Sequence, residues 1–194
     1  MAEPQRPDIA RDLIDRAQEA RERRSKLSRA LSHAEIGMGR HCDHANAQVL
    51  RRVIGDHGWP GRSMVGAEGA DAAARIALHA DTDPDFQRSA LRLIAAAVDS
   101  GEATSRQWAH LFDRCRVNAG HAQTYGTQYR LSATSVELLP VHDAQHLDER
   151  RARLGLPPFS TAQEAIRRRY ARESGAEHAL DDEPAQAEPL DAAA

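Results

Sequence analysis

From Glu68 to Ala80 the chain reads EGADAAARIALHA, and this stretch constrains the fold more than any other. Alanine loses no side-chain entropy on entering a helix, so the segment is predicted to be a short helix, ended by DTDPD. The rest of the chain agrees, because aromatic residues make up only 4% of it against 41% hydrophobic residues in all. Burial must come from small and aliphatic side chains, which favours helix on helix over a β-sandwich.

Other segments are readable from local pattern. Residues 8–31 set Ile9, Leu13, Ile14, Ala17, Ala20, Leu27 and Leu31 near the helical period behind Pro7, which predicts an amphipathic helix. A second helix is predicted over 43–54, with Asp43 as its cap and Leu50, Val53 and Ile54 on its face, and the glycines and proline of GDHGWPGRSMVG stop it. Asp83 at an N-cap and Pro84 at the first helical position open the next helix, which runs to Gly101. A helix over 105–118 follows, with Thr104 or Ser105 as cap and Gly120 just past its end. QYRL and SVELLPV around the turn SAT predict a short hairpin. Helices over 143–154 and 161–174 come next, divided by GLPPF, and residues 176–194 read as a disordered acidic tail rich in Ala and Pro. The expected fold is mainly α, a compact bundle of about six or seven helices with one short β-hairpin, in a single domain over 1–175.

Several function classes drop out. The formal charge of -3 is concentrated in the tail acids, leaving a weakly basic body. The richest basic run, Arg167-Arg168-Arg169 with Arg172, has only Tyr170 beside it, so a solvated helix face is expected and no nucleic-acid partner. Cys42 and Cys115 have no metal-type spacing and make no disulfide framework. The first residues lack an apolar core of the export kind, and no apolar run approaches roughly 18 residues, so a cytoplasmic protein without membrane contact is expected. Neither a GxSxG elbow nor a phosphate-binding glycine loop is present.

Chemistry concentrates between Trp59 and Gln128. The parts are GWP at Gly58-Trp59-Pro60, HAD at His79-Ala80-Asp81, FQ at Phe86-Gln87, LFDR at Leu111 to Arg114, and QTYGTQ at Gln123 to Gln128, followed by RRARLGL from Arg150 to Leu156. In order and spacing, over roughly 43–156, these motifs resemble a bacterial family of unknown function common in actinobacteria, with GWP, HAD then FQ, LxDR, Q-x-YGTQ and RR-x3-GL. Leu78 stands where that family often has Gln, and Ala122 where it often has Pro. The resemblance implies one unit and transfers no activity.

His79 ends an apolar helix, where an imidazole titrates near neutral pH and is tuned by a nearby carboxylate. Asp81 or Asp113 is a candidate for that role; the alternative is a helix-end histidine bonded to a carbonyl. Asp113 and Arg114 are adjacent in mid-helix and point about 100° apart, so they cannot both face one pocket. A buried Asp113 needs a partner, for which Arg75, Arg106 or His79 are candidates. The YGTQ run offers hydroxyl and amide groups for a polar ligand, or else a hairpin approach with Gly126 at positive φ. His41 with His44 and His142 with His146 are spaced for one helix face yet lack a third ligand; His79, Asp81 and Asp43 form a less favoured option for a divalent metal. Cys115 is a small apolar packing residue or a thiol of lowered pKa.

Two functions fit these residues. One is a small helical enzyme, or enzyme-like pocket protein, acting on a polar small molecule by hydrolase- or lyase-type acid-base chemistry. Its catalytic residues are His79, Asp81 and Asp113; Gln87, Arg114, Gln123, Tyr125, Thr127 and Gln128 hold the substrate, and Trp59 forms an apolar wall. The other is a non-catalytic interaction module, which dimerises or docks a partner through its amphipathic helices.

Overall fold

The computed structural model describes residues 3–26, 33–131 and 135–174. The predicted SAT turn, the acidic tail and the end of the first predicted helix lie outside the described residues.

The alanine stretch occupies the centre. Helix α1 (Pro7–Lys26) buries Ala10, Leu13, Ala17 and Ala20 in one stripe against helix α3 (Arg62–Leu78). On α3 the buried set is Val65, Gly69, Ala70, Ala72, Ala73, Ala74, Ile76 and Ala77, which covers most of its circumference. Methyl-sized side chains let the two helices come together: a Cβ on Gly69 would lie 3.4 Å from the Cα of Ala10. Leu50 of helix α2 (His33–His57), Ile94 of helix α4 (Pro84–Asp99) and Leu111 of helix α5 (Ser105–Asn118) complete the core.

Local capping works as predicted for two helices. Asp83 accepts from the Phe86 N–H at 3.0 Å at the start of α4. Thr104 and Gln107 form a reciprocal capping box at the start of α5, with bonds of 2.8 and 3.2 Å.

Two boundaries differ from expectation. Helix α2 begins at His33, so Asp43 is a mid-helix residue and no cap. Its C-terminal half packs on the core, and once a helix is nucleated each further residue costs little, so Gly37 and Gly39 are tolerated. Helix α3 reaches back to Arg62 with a break at Gly66, whose φ of 73° and ψ of 175° only glycine adopts easily. The extra turn exists because Glu102 reaches across: its carboxylate accepts the Ser63 N–H at 2.8 Å and its carbonyl the Arg62 N–H at 3.0 Å.

After α5 the chain forms the hairpin. Strands β1 (Tyr129–Leu131) and β2 (Val136–Leu138) pair antiparallel, Tyr129 opposite Leu138 and Leu131 opposite Val136. The helix predicted from Asp143 instead opens as a 3-10 turn, Ala144–His146, with Asp143 left-handed at φ 46° and bonded to His146 at 2.9 Å. Helix α6 (Leu147–Arg153) continues from it, and helix α7 (Phe159–Ser174) starts where the Phe159 N–H donates to Asp148 at 2.7 Å. Among the described residues no helix is long and apolar enough to cross a membrane.

Candidate functional site

The C-terminal end of α3 is closed by a side chain from α4. Gln87, 1% exposed, donates from Nε2 to the carbonyls of Ala77 at 3.3 Å and Leu78 at 3.0 Å, supplying donors that a helix end lacks. It also reaches Asp81 at 3.2 Å and accepts from Asn118 Nδ2 at 2.9 Å. Asp81 in turn accepts from Asn118 at 2.9 Å and from both Nε, at 2.8 Å, and Nη2 of Arg114. This forked ion pair ties the α3–α4 turn to α5.

His79 sits at that same helix end, with its backbone N–H bonded to the Arg75 and Ile76 carbonyls. It lines a recess with Ala17, Ala20, Arg24, Asp43, Asn46, Arg75 and Ile76. The recess holds about 10 Å³, the space of one water molecule. Arg24 and Asp43 pair across it at 3.0 Å, and Arg16 reaches Asn46 at 3.4 Å. Among the described residues the His79 imidazole makes no hydrogen bond, and Arg75 has no carboxylate partner. Burial, then Arg24 and Arg114, push the His79 pKa down to about 3, with Asp81 opposing. The ring is therefore neutral at physiological pH, with an uncommitted lone pair.

A second polar cluster lies on the other side of α5. Asp113 is fully buried, and its carboxylate accepts from the N–H groups of Thr124 at 2.7 Å, Tyr125 at 3.1 Å and Thr127 at 3.2 Å, and from the Thr127 hydroxyl at 2.9 Å. Burial raises its pKa while these donors lower it. The loop carbonyls are taken by α6: Arg150 Nε donates to Thr124 O at 3.1 Å and Arg151 Nη1 to Tyr125 O at 2.5 Å. Gln123 closes the loop at its base, accepting from Gln128 N at 2.8 Å and donating to Gln128 O at 3.0 Å and Leu139 O at 2.8 Å. Gln128 Nε2 donates to His110 O at 3.2 Å and Thr127 Oγ1 at 3.0 Å. The Tyr125 ring packs against Trp108 and Phe112 at centroid distances of 5.7 and 5.8 Å, and its hydroxyl makes no hydrogen bond among the described residues.

Both clusters fall within a match to a known family, which covers residues 13–172. The chain belongs to the family of unknown function DUF6624. No curated protein and no solved structure matches it. The DUF6624 match extends beyond the 43–156 read from motifs and takes in most of α1, with Arg24.

Within this DUF6624 chain the predicted site residues divide. His79, Asp81 and Arg114 lie together, with Gln87 beside them. Asp113, Gln123, Tyr125, Thr127 and Gln128 form the separate loop cluster. The partner of Asp113 is none of Arg75, Arg106 and His79; it is a stretch of backbone eleven to fourteen residues downstream. Its acceptor positions are filled, as are the polar groups of Gln87 and Gln123. Trp59 does not line the recess; it packs on the core, with its indole Nε1 buried and without a partner among the described residues.

Among the described residues no three His, Cys, Asp or Glu side chains gather as metal ligands. His79, Asp81 and Asp43 do not form such a group, since Asp43 is held by Arg24 and Asp81 by Arg114. Of the histidine pairs, His146 bonds Asp143 and His44 contacts Thr82 at 3.5 Å. Burial raises the Cys115 pKa, the opposite of an activated thiol. Arg24, Asn46 and Asn118 took no role in the sequence reading, and Arg75 entered it only as a candidate partner of Asp113. Arg24 lies among the charges of the first predicted helix, and only the RR of the RR-x3-GL stretch drew attention to Arg151.

Proposed function

We propose that this chain is a small-molecule pocket protein working at the His79 recess, with the neutral imidazole as the group that meets a polar ligand. One observation carries this reading. The Gln87, Asp81, Arg114 and Asn118 side chains at the end of α3 are bonded to one another and to backbone, while the His79 ring has no hydrogen-bond partner among the described residues and opens on a recess. The ring is only half-buried, so its nitrogens stay open to a polar ligand at the recess.

The recess itself admits only a head group, and the rest of a ligand lies at the rim, where the Arg24 and Asp43 side chains are 31% and 25% exposed. In the enzymatic form of this proposal His79 accepts a proton from the bound molecule, and the Arg75 guanidinium stabilises the negative charge that develops. A base of such low pKa removes a proton only where that charge is stabilised, as in lyase- or hydrolase-type chemistry. Asp81, fixed by Arg114 and Asn118, positions the helix end.

The test is a screen of polar metabolites, charged and neutral, against the full chain by thermal shift, with turnover followed for each hit. Hits that stabilise the wild type and vanish in His79→Ala support the proposal. Hits that bind His79→Ala equally well remove it.

A further inference from the structure

We infer that the His79 recess receives the carboxylate of a small monoanionic ligand, held between the Arg75 guanidinium and the His79 imidazole. This deepens the pocket proposal and rests on it. The argument is one of charge and partners. Arg24 from α1, Asp43 from α2, Arg75 from α3, Asp81 from the α3–α4 turn and Arg114 from α5 are the charged groups around the ring. Arg24 is paired with Asp43 at 3.0 Å and Arg114 with Asp81 at 2.8 Å. Among the described residues Arg75 is left over, which gives the recess one positive charge in excess, while the imidazole adds none.

One excess charge suits a monoanion, and the guanidinium fork matches the two oxygens of a carboxylate. A neutral imidazole still carries one N–H, which donates to a carboxylate oxygen. Space for one water-sized group admits a carboxylate oxygen at the floor with the remainder of the ligand outside. A dianionic phosphate would bring more charge than Arg75 balances and would have to displace Asp43 from Arg24.

Acetate is the probe, and acetamide, of the same shape without the charge, is its control. Both are titrated into the full-length chain while the His79 ring Cε1–Hε1 resonance is followed by NMR. Acetate is expected to shift that resonance saturably and acetamide to leave it in place. Arg75→Ala, a change at an exposed position on a helix, should weaken acetate by about tenfold or more, and Arg75→Lys should recover part of the loss. Equal shifts with acetate and acetamide, or wild-type affinity in Arg75→Ala, overturn the carboxylate assignment. If acetate fails while a neutral hit from the metabolite screen moves the resonance, the pocket stands and only its preference for an anion falls. If neither acetate nor any screened compound moves it, the pocket falls as well.

Discussion

Asp113 and Arg151 hold the same residue from opposite sides. Both oxygens of Asp113 accept the Tyr125 N–H at 3.1 Å, and Arg151 Nη1 donates to the Tyr125 carbonyl at 2.5 Å. Asp113 is 0% exposed and Arg151 3%, so two opposite charges are buried with the Tyr125 backbone between them. Arg151 spends a second donor on Pro157 O at 2.8 Å, which binds α6 to the turn before α7 as well. Charge-assisted bonds to backbone thus hold the YGTQ loop in a shape that the loop's own sequence does not impose.

Removing either charge should therefore be costly. Asp113→Asn keeps the shape but turns an amide N–H₂ toward loop N–H groups, and a loss of about 2–4 kcal/mol in urea unfolding is expected. Arg151→Met should cost about as much, because the Tyr125 and Pro157 carbonyls lose a buried donor. The double variant should lose less than the sum, since each single change strands the other partner. Strict additivity would show that the two residues act independently.

Gly126 stands at φ 65°, and a Cβ there would come within 3.2 Å of the Phe159 ring and 3.3 Å of Leu147 Cδ2. Gly126→Ala is expected to destabilise by about 1–3 kcal/mol, from the left-handed backbone and the tight contact together. Adding Phe159→Leu should relieve only the contact part. Full recovery in the double variant would mean that the backbone conformation costs nothing.

At the end of α3, Gln87→Glu should be worse than Gln87→Ala. A carboxylate would face the Ala77 and Leu78 carbonyls and the Asp81 carboxylate, where the amide now donates at 3.3, 3.0 and 3.2 Å. The alanine variant is expected to lose about 1–3 kcal/mol from unsatisfied groups, and the glutamate variant more at neutral pH. Thermal unfolding at pH 7 decides it. The reverse order would remove the capping role.

The neutral His79 makes stability depend on acid. Its pKa falls from the ordinary 6.5 to about 3 in the fold, so below 6.5 the unfolded chain takes up a proton that the folded chain refuses. The stabilisation is complete above the unfolded value and is lost as pH drops toward about 3. Allowing for partial solvent access to the ring, the loss is on the order of 3 kcal/mol. His79→Gln should flatten the stability profile between these limits relative to wild type, measured by urea unfolding at successive pH values. An unchanged slope would show that the ring titrates normally.

Much of the fold was legible because its causes are local. Asp83 with Pro84 and Thr104 with Gln107 name their helices from within one turn, and the alternation around Tyr129 and Val136 names the hairpin. The start of α2 was not: the Asp43 cap marked a start ten residues too late, and packing further along the helix carries it back through Gly37 and Gly39 to His33. The first turn of α3 depends on Glu102, which no pattern near Arg62 announces.

The candidate site divides in the same way. Sequence alone marked His79, Asp81, Asp113 and the YGTQ run as residues of consequence, since their types are costly to bury without partners. It determined that the chain would be helical, Ala-packed and polar at these helix ends. Only the tertiary structure decided the partners: Asp113 faces backbone where a cation was expected, Asp81 faces Arg114, and Arg24 of α1 reaches the recess of His79. The physical reason is that capping involves atoms within a few residues, whereas a buried charge is matched by whatever backbone or side chain the packed helices bring within about 3 Å.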